Sequence, residues 1–120
     1  MKIYIGHSSS LNYKKELYIP LEHSSLTENY ELVFPHDDSE GLFDSKSFLR
    51  DECDLMIAEV SEASTGLGIE LGWADSFDVK IICIYREGSN PSSSIEALDC
   101  EKLEYGNREE MVEKLVEKIN

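Results

Sequence analysis

Two kinds of block alternate along the chain: short apolar runs, and longer segments whose apolar positions recur at helical spacing. "KIYIG" opens as a short strand ending in Gly6. "SSSLNYKKELYIPLEHSSL" reads as a helix with Leu11, Leu17, Tyr18 and Leu21 on its apolar face. One of Ser8 to Ser10 is expected to cap that helix, and Pro20 to kink or split it. "YELVFP" is a second strand stopped by Pro35, "HDDSEGLF" a polar loop, and "DSKSFLRDEC" a short helix or helical turn. "DLMIAEV" is a third strand, its near-continuous apolar character suiting a strand buried on both faces. "GLGIELGWADSFD" follows as a helix with Leu67, Leu71 and Ala74 on one face, and "VKIICIYR" is a fourth strand. The loop "EGSNPSSSIEALD" carries a short helix from Ile95, and residues 102–105 form a short edge strand. The clearest helix is "NREEMVEKLVEKIN", with Asn107 as its cap and Met111, Leu115 and Ile119 in its stripe.

Strands alternating with helices predict an α/β fold, a doubly wound parallel sheet of four to five strands with helices on both faces. In such sheets ligands bind beyond the carboxyl ends of the strands. That rule selects Gly6 to Ser10, the loop after Phe34, and the segment from Glu59 to Glu70. No repeat or linker interrupts the pattern, so a single domain over residues 1–120 is expected.

Charge and cysteine usage narrow the function. The formal net charge of −14 repels polyphosphate backbones, which argues against nucleic acid as a partner. A small anion is still accessible through backbone N–H groups and hydroxyls. Cys53, Cys83 and Cys100 have neither zinc spacing nor the even count of a disulfide framework, so no metal site is expected, and Cys53 and Cys83, beside or within apolar runs, are expected to be buried thiols. With no membrane-length apolar stretch and no signal-peptide layout, a cytoplasmic protein without a membrane partner is expected.

The stretch "STGLGIELGWAD" carries the candidate chemistry. Gly66 and Gly68 let a ligand approach the backbone closely, and Glu70 is expected in the first turn of the following helix. An ionised glutamate there suits nucleophilic attack or the gripping of sugar hydroxyls; it equally suits simple complementation of the helix dipole. Glu59 at the end of "AEV" is read mainly as structural, and Trp73 and Phe77 as helix packing or an oligomer surface.

The same stretch brings a resemblance. "DLMIAEVSEASTGLGIELGWADSFDVKIICIY" resembles the core of the nucleoside 2-deoxyribosyltransferases and the related 2'-deoxynucleoside 5'-phosphate N-hydrolases, and "KIYIG" is similar to that family's first strand. The resemblance implies a flavodoxin-like (Rossmann-like) domain, a homodimer or higher homo-oligomer. It implies cleavage of the N-glycosidic bond of a nucleoside or nucleotide, with no cofactor. Carried over, Glu70 is the nucleophile that forms a glycosyl-enzyme ester. Tyr4 is the tyrosine that orients it, or else a packed strand aromatic. Ser64 stands where the N-hydrolases hold a 5'-phosphate with a serine and the transferases place an aspartate, which favours a monophosphate. Gly6, His7, Ser8, Gly66 and Gly68 complete the implied binding surface. Ser94 lies roughly where a neighbouring subunit supplies a second phosphate-binding serine; it also reads as a solvated loop residue. Two departures stand out. The first loop is "GHSSS" rather than a "GSIRGG"-like run, so His7 is either a proton donor or a solvated loop residue, and Ser8 to Ser10 either bind an anion or only cap a helix. Lys46 occupies the place of the family's aspartate that assists the leaving base, with Asp44, Asp51 and residues 36–38 as neighbours out of register.

Overall fold

The computed structural model describes residues 1–36 and 43–120. The apolar runs become strands β1 (Lys2–His7), β2 (Glu31–Val33), β3 (Leu55–Glu59), β4 (Lys80–Arg86) and β5 (Cys100–Tyr105). They form one sheet in the order β2-β1-β3-β4-β5, with every neighbouring pair parallel. This is the flavodoxin-like order, and its crevice lies where the chain switches direction, between the carboxyl ends of β1 and β3.

Side chains alternate across the sheet and so build two cores. Ile3 and Ile5 of β1, with Leu55 and Ile57 of β3, face Leu17, Leu21, Met111 and Leu115. Those partners belong to α1 (Ile19–Glu22), the turn before it, and α5 (Arg108–Ile119). Tyr4, Met56 and Ala58 face the other way, against Phe48 and Leu49 of α3 (Ser45–Asp51) and Leu67, Leu71 and Ala74 of α4 (Thr65–Ser76). A short α2 (Leu26–Asn29) joins α1 to β2.

Caps explain several boundaries. Asp44 accepts from Ser47 N–H at the start of α3, and Asn107 from Glu110 N–H at the start of α5. The Glu110 carboxylate reaches back to Gly106 N–H at 2.8 Å, closing that end reciprocally. The first helix departs from expectation. Ser8 to Ser10 do not cap it; helical structure begins only at Lys14, as a wide π turn (Lys14–Tyr18) in which Ile19 N–H donates to Lys14 C=O. Pro20 lacks an N–H and its ring crowds the carbonyl four residues back, so the helix widens before the proline instead of splitting. The expected short helix from Ile95 is a 3₁₀ turn (Ser93–Ala97). Among the described residues no helix is long and apolar enough to cross a membrane.

Cys83 is buried as expected, whereas Cys53 and Cys100 are only partly buried, and all three are free of disulfides. Burial pushes Cys53 up to about 11 and Cys83 up to about 12, so neither is a nucleophile near neutral pH.

Candidate active site

Glu70 and Tyr4 come from elements far apart in sequence. Tyr4 is on the α4 face of β1, completely buried, and Glu70 projects from α4 above it. The Tyr4 hydroxyl donates to Glu70 Oε2. Its one hydrogen is thereby used, so Ser45 at the start of α3 donates to the Tyr4 oxygen at 2.8 Å. The tyrosine ring is held by Phe43 and Phe48, with centroids 6.0 and 5.8 Å away. Burial, then the Glu70 charge, pushes the Tyr4 hydroxyl far above the ordinary tyrosine range, so it stays a donor.

Glu70 is not in the first helical turn. Ser64 caps α4, its side chain accepting from Leu67 N–H at 3.5 Å, and the helix starts at Thr65, before the glycines. Gly66 and Gly68 are therefore helical, and a Cβ at either position would meet nothing within 4 Å, so the fold itself does not require glycine there. Glu70 falls in the second turn, where the dipole is weaker, and its hydrogen-bond partner is the Tyr4 hydroxyl rather than free N–H groups.

Ser64, Gly66, Ile69, Glu70 and Trp73 form one wall of a cavity of about 440 Å³ at the carboxyl ends of β1 to β3. Phe43, Asp44, Ser45 and Lys46 form the facing wall, and His7, Ser9 and His36 close the top of β1 and β2. The order along α4 matters. At about 1.5 Å per residue, Ser64 lies about 9 Å before Glu70, and Trp73 about 4.5 Å beyond it. A helix start, a carboxylate and an aromatic ring thus succeed one another along a single groove.

Known proteins share this arrangement of the chain. The solved CMP N-glycosidase of Clostridium botulinum superposes with a TM-score of 0.67 at 25% identity, over 97% of this chain and 99% of that one. The 5-hydroxymethyl-dUMP N-hydrolase of Esox lucius is 33% identical over 81 residues, 62% of this chain. Both matches are in keeping with the resemblance to the nucleoside 2-deoxyribosyltransferase-like family read from the sequence. This chain spans about half the length of that curated relative. No protein-family model matches it.

Within this fold, the other expected site residues divide. His7 is neither a loop residue nor a free proton donor. It ends β1, is 95% buried by its own fold, and stacks on Tyr13 at 4.5 Å between ring centroids. Its Nδ1–H donates to Ser8 C=O, and the Tyr18 hydroxyl donates to Nε2 while accepting from His36 N–H. Both ring nitrogens are occupied, and burial lowers the pKa, so His7 is neutral and contributes wall, not protons. Ser8 is buried, its hydroxyl bonded to Ser10, and lies outside the cavity, where Ser9 takes its place. Gly6 also lies outside: a Cβ there would come within 2.6 Å of Met56 Cε and 3.2 Å of Leu67, so the glycine lets α4 sit close on the sheet.

Gly68 and Ser94 line a second hollow of about 400 Å³ on the opposite flank of α4, with Leu71, Gly72, Ile95 and Leu98. Ser64 and Leu67 border both hollows. Glu59 points to the α5 face, accepting from Ser61 N–H at 2.6 Å and from the Tyr105 hydroxyl, away from Glu70. Trp73 lines the Glu70 cavity instead of serving only as packing, while Phe77 does pack against the α4-side core. Ser45 was not singled out by the sequence; its position at the first turn of the helix before β3 is the only signal it leaves. Asp51 pairs with Arg50 at the far end of α3, and Asp37 and Asp38 lie outside the described residues.

Two outcomes follow from these contacts. Tyr4→Phe removes the donor to Glu70 and is expected to lower turnover about tenfold, the worth of one hydrogen bond to a charged group, while near-ultraviolet circular dichroism stays native. His7 carries fewer protons folded than unfolded once the pH falls below about 6.5, the ordinary histidine value. Stability therefore declines as pH drops through that window, and urea midpoints from pH 7.5 to 5.5 should fall less steeply in His7→Gln.

Proposed function

We propose that the chain cleaves the N-glycosidic bond of a nucleoside 5'-monophosphate, with Glu70 as nucleophile. The observation that carries this reading is the Tyr4–Glu70 hydrogen bond inside a cavity at the sheet's switch point. The names of the two relatives, both nucleotide N-glycoside-cleaving enzymes, support the reaction type.

In this reading Ser64 and the unpaired N–H groups at the start of α4 hold the phosphate. The sugar then lies over Glu70. Tyr4 keeps Oε2, which leaves Oε1 to attack the anomeric carbon as the bond to the base breaks. Water hydrolyses the resulting ester, giving sugar phosphate and regenerating the carboxylate. Ser64 contributes a hydroxyl where a carboxylate would repel phosphate, which favours a nucleotide over a nucleoside. Passage of the sugar to a second base is the other fate of the same ester. Ser94 lines the neighbouring hollow that Ser64 also borders, and the resemblance has such a serine supplied by a second copy, so a homo-oligomer belongs to this proposal.

The test incubates the chain with ribo- and deoxynucleoside monophosphates and measures free base by liquid chromatography. Release of base with sugar phosphate supports hydrolysis; a new nucleotide formed from an added free base supports transfer. A second reading, a non-catalytic nucleotide-binding module, is favoured by one observation. The only carboxylate besides Glu70 among the described cavity residues is Asp44, which Ser47 N–H and hydroxyl hold below the ordinary aspartate range, and so it is a poor acid. Nucleotide binding without base release from any substrate would establish that reading.

A further inference from the structure

The proposed chemistry leaves the departing base without an obvious partner, and the cavity contains one group placed to serve it. Among the described wall residues Lys46 is the one lysine or arginine. It is in the first turn of α3, next to Ser45, which supports Tyr4. Its Nζ lies 5.7 Å from the centre of the Trp73 ring, within cation–π range, and it takes part in no ion pair among the described residues. Trp73 follows Glu70 by three residues and shares its face of α4. The phosphate-competent helix start is at the opposite end of the groove, so the ammonium and the indole mark the end where the base of a nucleotide would lie.

We infer that Lys46 and Trp73 form a leaving-base subsite selective for pyrimidines that carry a C2 carbonyl, with the Lys46 ammonium as the group that stabilises the departing base. The inference rests on the N-glycosidase reading of Glu70. Trp73 offers a flat apolar face to the ring, and Lys46, held near that ring, offers a cation to an oxygen at its rim.

The electron balance explains why a lysine suffices here. Glu70 Oε1 forms a bond to the anomeric carbon, and the bond from that carbon to N1 breaks with its electron pair going to the base. In a pyrimidine that pair delocalises onto O2, and an ammonium hydrogen bond to O2 stabilises the anion without transferring a proton. The base anion is then protonated by the hydrogen ion released when water hydrolyses the ester. Adenine has no ring carbonyl to accept such a bond and leaves readily only when a ring nitrogen is protonated. Of the described cavity groups that could supply that proton, His7 has both nitrogens occupied, Asp44 is ionised, and His36 packs its ring against His7 and Tyr13 at the top of β1 and β2. Both relatives are named for pyrimidine nucleotides, CMP and 5-hydroxymethyl-dUMP, in keeping with this selectivity.

The experiment compares intact chain and Lys46→Met on UMP, dUMP, AMP and 5-fluoro-dUMP, whose fluorine makes the base a better leaving group. The intact chain is expected to release uracil in preference to adenine. Lys46→Met is expected to lose about a hundredfold in kcat on dUMP, the usual cost of removing one donor to a developing anion, but far less on 5-fluoro-dUMP. Lys46→Arg, which keeps the cation, is expected to retain more activity than Lys46→Met. An equal loss on both pyrimidines, or a loss confined to KM, would overturn the assignment and return Lys46 to phosphate binding or packing. Absence of base release from every nucleotide by the intact chain would instead overturn the N-glycosidase reading itself.

Discussion

Replacing Glu70 with alanine is expected to lower base release by about a thousandfold or more while nucleotide binding survives. A residue that forms the covalent intermediate cannot be replaced by the remaining binding contacts, which leave only a small residual rate enhancement. The structural cost of the change is low. Glu70 is half-buried at the cavity wall, and its one partner, Tyr4, keeps the Ser45 hydroxyl as a neighbour. Two measurements separate lost chemistry from lost folding. Isothermal titration with a nucleotide should give a dissociation constant within about tenfold of the intact chain, since the phosphate contacts proposed at Ser64 are untouched. Azide, a small anion that fits the space vacated by the carboxylate, should restore part of the base release. Undiminished release in Glu70→Ala would remove the nucleophile from the proposal.

The second large effect is one of stability, and it should leave catalysis alone. Ile57 is the middle residue of β3, between β1 and β4, fully buried and directed toward α1 and α5. Ile57→Ala is expected to cost about 2–5 kcal/mol in urea denaturation, from lost burial plus the cavity left behind. Its neighbour Met56 faces α4 and the Tyr4–Glu70 pair instead. Turnover per folded molecule of Ile57→Ala should therefore match the intact chain. A drop in turnover without a drop in stability would mean that the two cores are mechanically coupled through β3.

The five strands were legible because a parallel sheet buries both faces of its central strands, which makes them continuous apolar runs. Their order was legible only as a class, since alternation of strand and helix does not say which neighbours pair. Boundaries were harder. The start of α4 was misread because the glycines look like a turn, whereas the Ser64 side chain allows the helix to begin ahead of them. The pairing of Tyr4 with Glu70 came from the resemblance, not from spacing, because it joins the two ends of a crossover. The burial of His7 depends on Tyr13, Tyr18 and His36, which come from separate segments, and no local pattern announces such a cage. Trp73 was judged by its distance from the helix start along the sequence. The groove runs along the helix, so distance from the start is what brings Trp73 into it.

The all-parallel sheet also constrains how the molecule is made. No strand can pair with its predecessor through a tight hairpin, because every connection must return to the same end of the sheet. β1 is synthesised first, yet its main partner is β3, with Ile3 set against Leu55 and Ile5 against Ile57. Until β3 leaves the ribosome, one edge of the apolar β1 stands unpaired and exposed to other nascent chains. Closing that long loop costs chain entropy before the β1–β3 contacts repay it, which slows folding. The most hazardous interval for aggregation is therefore the synthesis of the stretch between β1 and β3, which includes most of the wall that later faces Glu70.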